Sequence, residues 1–293
     1  MIATTGFFDG VHTGHRLVIE RLVSLARERG DESLVITFWP HPRAVLQDGA
    51  RELRLLTTLE EKKALLTSLG VDRVEVLDFT RSFAALTAGQ FLRDVLQARF
   101  GVTTLLMGYD NRLGSDRLQA DRLLSLAESL GIELLELEPL AFRSDEAGGA
   151  ISSTKIRKSL EEGKVTEASE MLGYGYSLTG VVVAGNRLGR TIGFPTANMR
   201  LYEPLKLVPG RGVYVVEVQV LGKTWRGMTN VGLRPTVGGT FTTIETHILD
   251  FDEDIYGLPI TITFLRRLRD EIHFPSLEAL REQLDRDKAA CRA

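Results

Sequence analysis

The chain has 293 residues, 43% of them hydrophobic and 26% charged, with a formal net charge of -3 at pH 7. That length exceeds a usual single core, so two domains are expected, and the composition is that of an ordinary globular protein. The slight acidity argues against the broad basic face of a nucleic-acid binder, so no nucleic-acid partner is expected. The first twenty residues hold Asp9, Arg16 and Glu20, which breaks any signal-peptide or membrane-spanning pattern. The single cysteine, Cys291, has no second cysteine with which to form an internal disulfide, as suits a reducing compartment. A cytoplasmic protein without a membrane partner is expected. No feature of the composition sets an oligomeric state.

Residues 1–5 read as a short buried strand. Gly6-Phe7-Phe8-Asp9-Gly10-Val11-His12-Thr13-Gly14-His15 follows at once. Beyond it Val18, Leu22 and Leu25 recur at helical spacing until Gly30. A strand-to-helix turn of this kind offers free backbone N–H groups and a positive helix end, and both attract phosphate. Glycine lets the backbone approach a nucleotide closely, while His12 and His15 can donate to phosphoryl oxygens as charge builds on them. Surface histidines and a metal pair are the other readings, but no cysteine or acidic ligand cluster accompanies them. The pattern points to nucleotidyl transfer.

Further strands are expected at 34–38, 74–77, 103–107 and 132–137, with helices near 15–29, 59–69, 88–99 and 117–130. Such β-α alternation predicts a parallel sheet with helices on both faces. Ligands in these sheets bind beyond the carboxyl ends of the strands, where residues 6–15, 39–42 and 108–114 would gather. Ile151-Ser152-Ser153-Thr154-Lys155-Ile156-Arg157 opens a helix running towards Glu162. One serine there can be a helix cap. Three hydroxyls followed by Lys155 and Arg157 exceed what a cap requires, and together they suit an anion such as a triphosphate.

From about Tyr176 the rhythm changes. Strands are expected at 178–183, 213–220, 225–231, 244–251 and 260–266, and only the stretch from Ser276 to about Ala290 reads as helical, with Leu277, Leu280 and Leu284 behind a serine cap. This predicts a compact antiparallel barrel with a terminal helix, and a domain boundary between Leu172 and Tyr176. Gly185-Asn186-Arg187-Leu188-Gly189-Arg190-Thr191-Ile192-Gly193-Phe194-Pro195-Thr196-Ala197-Asn198 reads as a flexible anion-binding loop. Thr196 and Asn198 in it offer uncharged oxygen ligands to a Mg²⁺ ion already partnered by phosphates. Gly222-Lys223-Thr224 ends like a Walker motif, but Glu217 stands where the upstream glycine is required, so a hairpin turn is expected.

These strings resemble the bacterial bifunctional riboflavin kinase/FAD synthetases. In the N-terminal half the likeness is carried by the Gly6 to His15 string, by Thr37-Phe38-x-Pro40-His41-Pro42, and by Ile151-Ser152-Ser153-Thr154-x-Ile156-Arg157. In the C-terminal half it is carried by the Gly185 to Asn198 string, Gly212-Val213-Tyr214, Asn230-Val231-Gly232-x-x-Pro235-Thr236, and Glu245-Thr246-His247-Ile248-Leu249-Asp250-Phe251. Asp254-Ile255-Tyr256-Gly257 and Arg269-Asp270-Glu271-Ile272-His273-Phe274 extend it.

The resemblance implies a Rossmann-like nucleotidyltransferase domain over 1–173, making FAD from FMN and ATP. It implies a riboflavin kinase barrel over 174–293, making FMN. It places Gly6, Phe7, Asp9, Gly10, His12 and His15 at the nucleotide, with Ser153, Thr154 and Arg157 on the triphosphate end and Asp110 near nucleotide and flavin. His15 and Arg157 would be catalytic there. In the kinase half it places Gly185, Gly189, Arg190, Gly193, Pro195, Thr196, Asn198 and Arg269 at the ligands, and Thr196 and Asn198 on Mg²⁺. Glu245 would be the general base for the attacking ribityl hydroxyl. Riboflavin, FMN and ATP are the implied partners.

Two positions depart from the family pattern. Its D-F-x-F-G loop is Asp110-Asn111-Arg112-Leu113-Gly114 here, which leaves open a transferase of altered or lost flavin specificity. His273 stands where a lysine is usual. A binding regulator without catalysis is a third reading, opposed by the joint presence of His15, Thr196, Asn198 and Glu245. Because the kinase-like motifs lie beyond Tyr176, that part is expected to fold alone.

Overall fold

In the computed structural model, which describes residues 1–46, 53–108, 113–116, 118–137, 151–185, 188–236 and 239–292, the first apolar run forms β1 (Ile2–Thr5). The loop after it leads into α1 (Thr13–Arg29), which ends where Gly30 takes a left-handed conformation. Next come β2 (Ser33–Trp39), α2 (Pro42–Leu46), α3 (Leu59–Ser68), β3 (Arg73–Asp78) and α4 (Arg81–Ala84). α3 starts at a reciprocal cap between Thr58 and Glu61. The helix expected near 88–99 is present as α5 (Ala88–Gln90), a π-helical stretch (Phe91–Gln97) and α6 (Ala98–Phe100). β4 (Thr104–Met107), α7 (Ala120–Ser129) and β5 (Glu133–Glu136) follow.

The chain divides into two units, Met1–Ser153 and Thr154–Ala293. In the first, five parallel strands take the order β3-β2-β1-β4-β5. Strands buried on both faces read as continuous apolar runs, and the packing shows why. Ile2, Val35 and Leu106 face Ile19, Leu22 and Leu66 of α1 and α3. Ala3, Leu34 and Leu105 face the opposite layer, with Phe91, Leu92, Leu96 and Leu123. This is the Rossmann-like arrangement, and it sets the loop after β1 at the carboxyl edge of the sheet, where ligands of such sheets bind.

The second unit opens with α8 (Ser153–Glu161, whose first residue ends the other unit) and α9 (Val165–Leu172). Then come β6 (Ser177–Val183), α10 (Leu188–Thr191), β7 (Ala197–Leu201), β8 (Gly212–Val220), β9 (Lys223–Thr236), β10 (Gly239–Ile248), β11 (Pro259–Arg269) and α11 (Leu277–Arg292). The six strands close an antiparallel barrel in the order β10-β7-β6-β11-β8-β9. Alternate residues such as Leu178, Val182, Ile260, Ile262 and Phe264 are buried, as a period of two requires.

Three local features bear on the site. β7 was not expected as a strand: Ala197, Met199 and Leu201 alternate with Asn198 and Arg200 over only five residues, and the glycines before them read as loop. Gly222-Lys223-Thr224 is the expected hairpin, with Leu221 (φ 52°) and Gly222 (φ 72°) making the two-residue turn between β8 and β9. The helices α8 and α9 belong to the barrel unit. The Gly210 N–H donates to the Leu160 carbonyl at 2.7 Å, the Thr166 hydroxyl donates to the Leu265 carbonyl at 3.3 Å, and Ile156, Leu160, Val165 and Met171 are buried. Among the described residues, no helix is long and apolar enough to cross a membrane.

Candidate active sites

The loop between β1 and α1 is folded by its own side chains. Asp9 is buried. Its carboxylate accepts from the N–H groups of Leu56 (3.0 Å) and Thr57 (3.1 Å) and from the Thr57 hydroxyl (3.3 Å). Gly10, at φ 83°, donates its N–H to that same hydroxyl oxygen at 3.1 Å. Glycine adopts this conformation without strain. Asp9 and Gly10 therefore set the shape of the loop, and the carboxylate's charge is taken up by donors behind it. A side chain at Gly6 would come within 3.0 Å of the Phe8 ring. Phe7 packs edge-on against His41 with ring centres 4.0 Å apart, and its carbonyl accepts from the Thr37 hydroxyl at 3.2 Å.

The two histidines are brought together as the motif predicts. His12 caps α1: its Nδ1 accepts the His15 N–H at 3.4 Å, which fixes the proton of a neutral ring on Nε2. The His15 ring stacks on it with centres 3.6 Å apart and planes 18° apart. Burial, then the charges of His12 and Lys62, hold His15 well below the usual imidazole range, so it is neutral at pH 7. Its Nδ1 is buried with no hydrogen-bond partner among the described residues. A neutral His15 ring at the positive end of a 17-residue helix offers an N–H donor to an anion without the cost of a further buried charge.

Of the second motif, Ser153 reaches this loop, its hydroxyl donating to the Asp9 carbonyl at 3.0 Å. Thr154 is exposed and Arg157 half-buried; both lie in the first turns of α8, in the barrel unit. Asp110 lies outside the described residues, as do Asn111 and Arg112 of the altered loop; Leu113 is buried. A cavity of about 480 Å³ opens beside Gly6 and Phe7 and is lined by Phe38, Phe79, Phe83 and Phe91. The rings of Phe38, Phe79 and Phe83 lie 5.6–5.8 Å from one another. Phe79 and Phe83 sit just after β3 and in α4, aromatics the sequence reading passed over because no motif contains them.

Lys62 was also missed. It is 1% exposed, its ammonium donates to the Phe7 carbonyl at 2.9 Å and lies 3.9 Å from the centre of the Phe7 ring. The signal is a lysine interrupting an apolar stripe, Leu59 and Leu66 of α3 with Leu69 at its C-terminal cap. Burial pulls its pKa down to about 8, against the opposing attraction of Asp9. A depressed lysine pKa means that the folded state resists the charge. The cost, about 3 kcal/mol for a shift of this size, is present in full below pH 8. It is relieved as pH rises from about 8 towards the unfolded value of 10.5. Lys62→Met should therefore raise the unfolding free energy at pH 7, since Thr37 still serves the Phe7 carbonyl, and the gain should shrink between pH 8 and pH 10. Denaturant melts across that range check both. A variant less stable than the parent at pH 7 would contradict the charge-burial account.

On the barrel, a cavity of about 650 Å³ is lined by Phe194, Thr196, Asn230, Glu245, His247 and Leu280, among others. A second, of about 330 Å³, is lined by Arg190, Thr196, Phe251, Asp254 and Tyr256. Thr196 lines both. Glu245 stands directly opposite Asn198 on β7 and opposite Asn230 on β9. Side chains paired across a ladder share one face, so the carboxylate is flanked by two amides. The structure thus sets Asn198 and Glu245 opposite one another, with Thr196 and Glu245 lining one cavity.

The described residues of the glycine-rich string, expected as a flexible loop, include a short helix. α10 occupies part of it, and the Phe194 N–H donates to the Gly189 carbonyl at 2.8 Å. Close approach explains two of its glycines. A Cβ on Gly189 would lie 2.1 Å from the Phe194 carbonyl oxygen, and one on Gly185 would lie 2.3 Å from the Asn198 amide. Gly193 has a left-handed φ of 84°, and Pro195 lines the smaller cavity. Asn186 and Arg187 lie outside the described residues. Arg190 is exposed. Arg269 is committed to Asp287 of α11 at 2.7 Å, a bidentate pair that ties the terminal helix over the larger cavity.

The family profile for FAD synthetase matches residues 1–155, and that for riboflavin kinase matches residues 172–293. The chain is 37% identical over 295 residues to the bifunctional riboflavin kinase/FMN adenylyltransferase of Listeria monocytogenes, an alignment covering 100% of this chain and 91% of that protein. To the protein of the same description from Escherichia coli K12 it is 38% identical over 294 residues, covering 99% and 91%. A crystal structure from Streptococcus pneumoniae, described as a macrolide-efflux protein, matches 99% of this chain and 93% of its own at a TM-score of 0.91 and 34% identity. With both halves matched in order and along its whole length, the chain belongs to the bifunctional riboflavin kinase/FMN adenylyltransferase family.

Proposed function

We propose that the barrel phosphorylates riboflavin and that the N-terminal domain adenylylates the resulting FMN. The observation that carries the kinase reading is Thr196, shared by two cavities with Glu245 in one and Arg190 in the other. Riboflavin occupies the larger, walled by apolar side chains of α11, and ATP the smaller. The ribityl 5′-hydroxyl then attacks the γ-phosphorus, its proton passes to Glu245, and ADP leaves. The Thr196 hydroxyl and the Asn198 amide oxygen are hard, neutral donors, and the missing Cβ of Gly185 leaves room at that amide. They fit a divalent cation such as Mg²⁺ that also holds ATP phosphates and neutralises charge there.

In the N-terminal domain the nucleophile is an FMN phosphate oxygen, already anionic, so no strong base is required. It attacks the α-phosphorus of ATP and pyrophosphate leaves. Catalysis there comes from positioning and from charge stabilisation by His12, His15 and Arg157, with Ser153 and Thr154 on the triphosphate. The phenylalanine-lined cavity beside Gly6 takes the flavin ring, so the aromatic surface missing from the 110–114 loop is supplied by Phe38, Phe79 and Phe83. Incubation with riboflavin, ATP and Mg²⁺ followed by flavin chromatography tests the whole reading. FMN and then FAD are expected. FMN alone would mean a transferase of changed specificity, and neither product would refute the assignment.

We keep the boundary between the two activities at 173/174, after α9, beyond the Ser153/Thr154 division between the compact units. A fragment from Tyr176 retains every kinase-like motif but loses α8 and α9. It should form FMN, yet melt at a lower temperature than the fragment Thr154–Ala293, which keeps Leu160, Val165 and Met171 buried. Two folded fragments unable to make FMN would refute the independence of the kinase half.

A further inference from the structure

His247 lies two residues along β10 from Glu245, on the same face of the strand, and nothing in the mechanism above uses it. Its Nδ1 lies 2.8 Å from the Pro195 carbonyl oxygen. A carbonyl only accepts, so Nδ1 carries the proton and a neutral ring presents Nε2 as a bare acceptor. That Nε2 is buried and has no hydrogen-bond partner among the described residues, although the side chain lines the 650 Å³ cavity and the residue is 93% buried, being 7% exposed. The Phe194 ring, 5.1 Å away centre to centre, holds the imidazole from one side. Burial also keeps the group below its ordinary pKa, and so neutral. An orphaned acceptor at the wall of a ligand cavity is costly unless a ligand donates to it.

We propose that Nε2 of His247 accepts a hydrogen bond from a ribityl hydroxyl of riboflavin, and so makes His247 a specificity-determining residue of the kinase site. The inference rests on the kinase reading. Residues two apart on one strand face are separated by about 7 Å. If Glu245 takes the 5′-hydroxyl proton, that spacing brings His247 to a hydroxyl further up the ribityl chain, nearer the ring. The same imidazole, through Nδ1, holds the carbonyl of Pro195 and with it the approach of Thr196.

The two ring nitrogens can be tested apart. His247→Asn keeps a donor at the position of Nδ1 and deletes the acceptor at Nε2; His247→Gln places an amide oxygen near Nε2. Riboflavin binding to the full-length protein, read by flavin fluorescence without ATP, should weaken about tenfold in the Asn variant and less than about threefold in the Gln variant. KM for riboflavin should follow Kd while kcat changes little. Lumiflavin, which lacks the ribityl chain, should bind the parent and the Asn variant equally. Should the Asn variant not fold, the parent supplies the same test. Its affinity for riboflavin lacking the 2′- or the 3′-hydroxyl should fall about tenfold for one of the two. Unchanged riboflavin affinity in the Asn variant, or an equal loss for lumiflavin, overturns the proposal. A parent protein that binds no riboflavin would overturn the kinase reading itself.

Discussion

Glu245→Gln should lower FMN formation by ~10²–10⁴-fold, the usual range for a lost general base, and leave FAD synthesis from supplied FMN at the parent rate. Glutamine has the same shape and keeps its place opposite Asn198 and Asn230 in the ladder. What it lacks is a lone pair basic enough to take the proton as the hydroxyl attacks phosphorus. Riboflavin affinity should therefore stay within a few-fold of the parent, because the lost interaction belongs to the transition state and not to ground-state binding. Both half-reactions measured on one preparation decide the matter. An unchanged kinase rate would reduce Glu245 to a polar residue on the outer face of a strand.

The counterpart in the other domain is His15→Ala. FAD formation from FMN should fall by ~10²–10³-fold, the loss of one preorganised donor worth roughly 3–4 kcal/mol, while FMN formation is spared. The fold should tolerate the change. The cap of α1 uses the backbone N–H of residue 15 and the ring of His12, and alanine retains that N–H. Thermal melting beside both activities separates chemistry from unfolding. A stable variant that makes FAD at the parent rate would remove His15 from the phosphate site. A fall in both activities with an unchanged melt would show that the two sites are not independent.

Much of this architecture was legible in the sequence because both signals were local. Strands buried on two faces appear as unbroken apolar runs, and the barrel strands alternate, so ten of the eleven strands among the described residues were expected close to where they lie. β7 escaped because its short run is mostly half-buried and follows a glycine-rich stretch, in which Gly189 and Gly185 pack closely against Phe194 and Asn198. At the proposed sites, residues such as His12, His15, Thr196 and Glu245 could be named because they stand in motifs with fixed spacing. Lys62, Phe79, Phe83 and His247 could not be singled out so, since what distinguishes each is a tertiary neighbour. A buried lysine is marked only by its place in an apolar stripe. The orphaned nitrogen of His247 exists only once Pro195 has been folded against it.

The central claim is that two phosphoryl-transfer reactions run in series on one chain, and the fate of isotope from ATP tests it directly. Incubated with riboflavin and Mg²⁺, γ-labelled ATP should place label in FMN first and then, through FMN, in FAD. With α-labelled ATP, label should appear in FAD and never in FMN. Label from the α position in FMN, or FAD carrying no γ-derived label, would contradict the assignment of the kinase to Glu245 and Thr196 and of the transferase to the histidine loop.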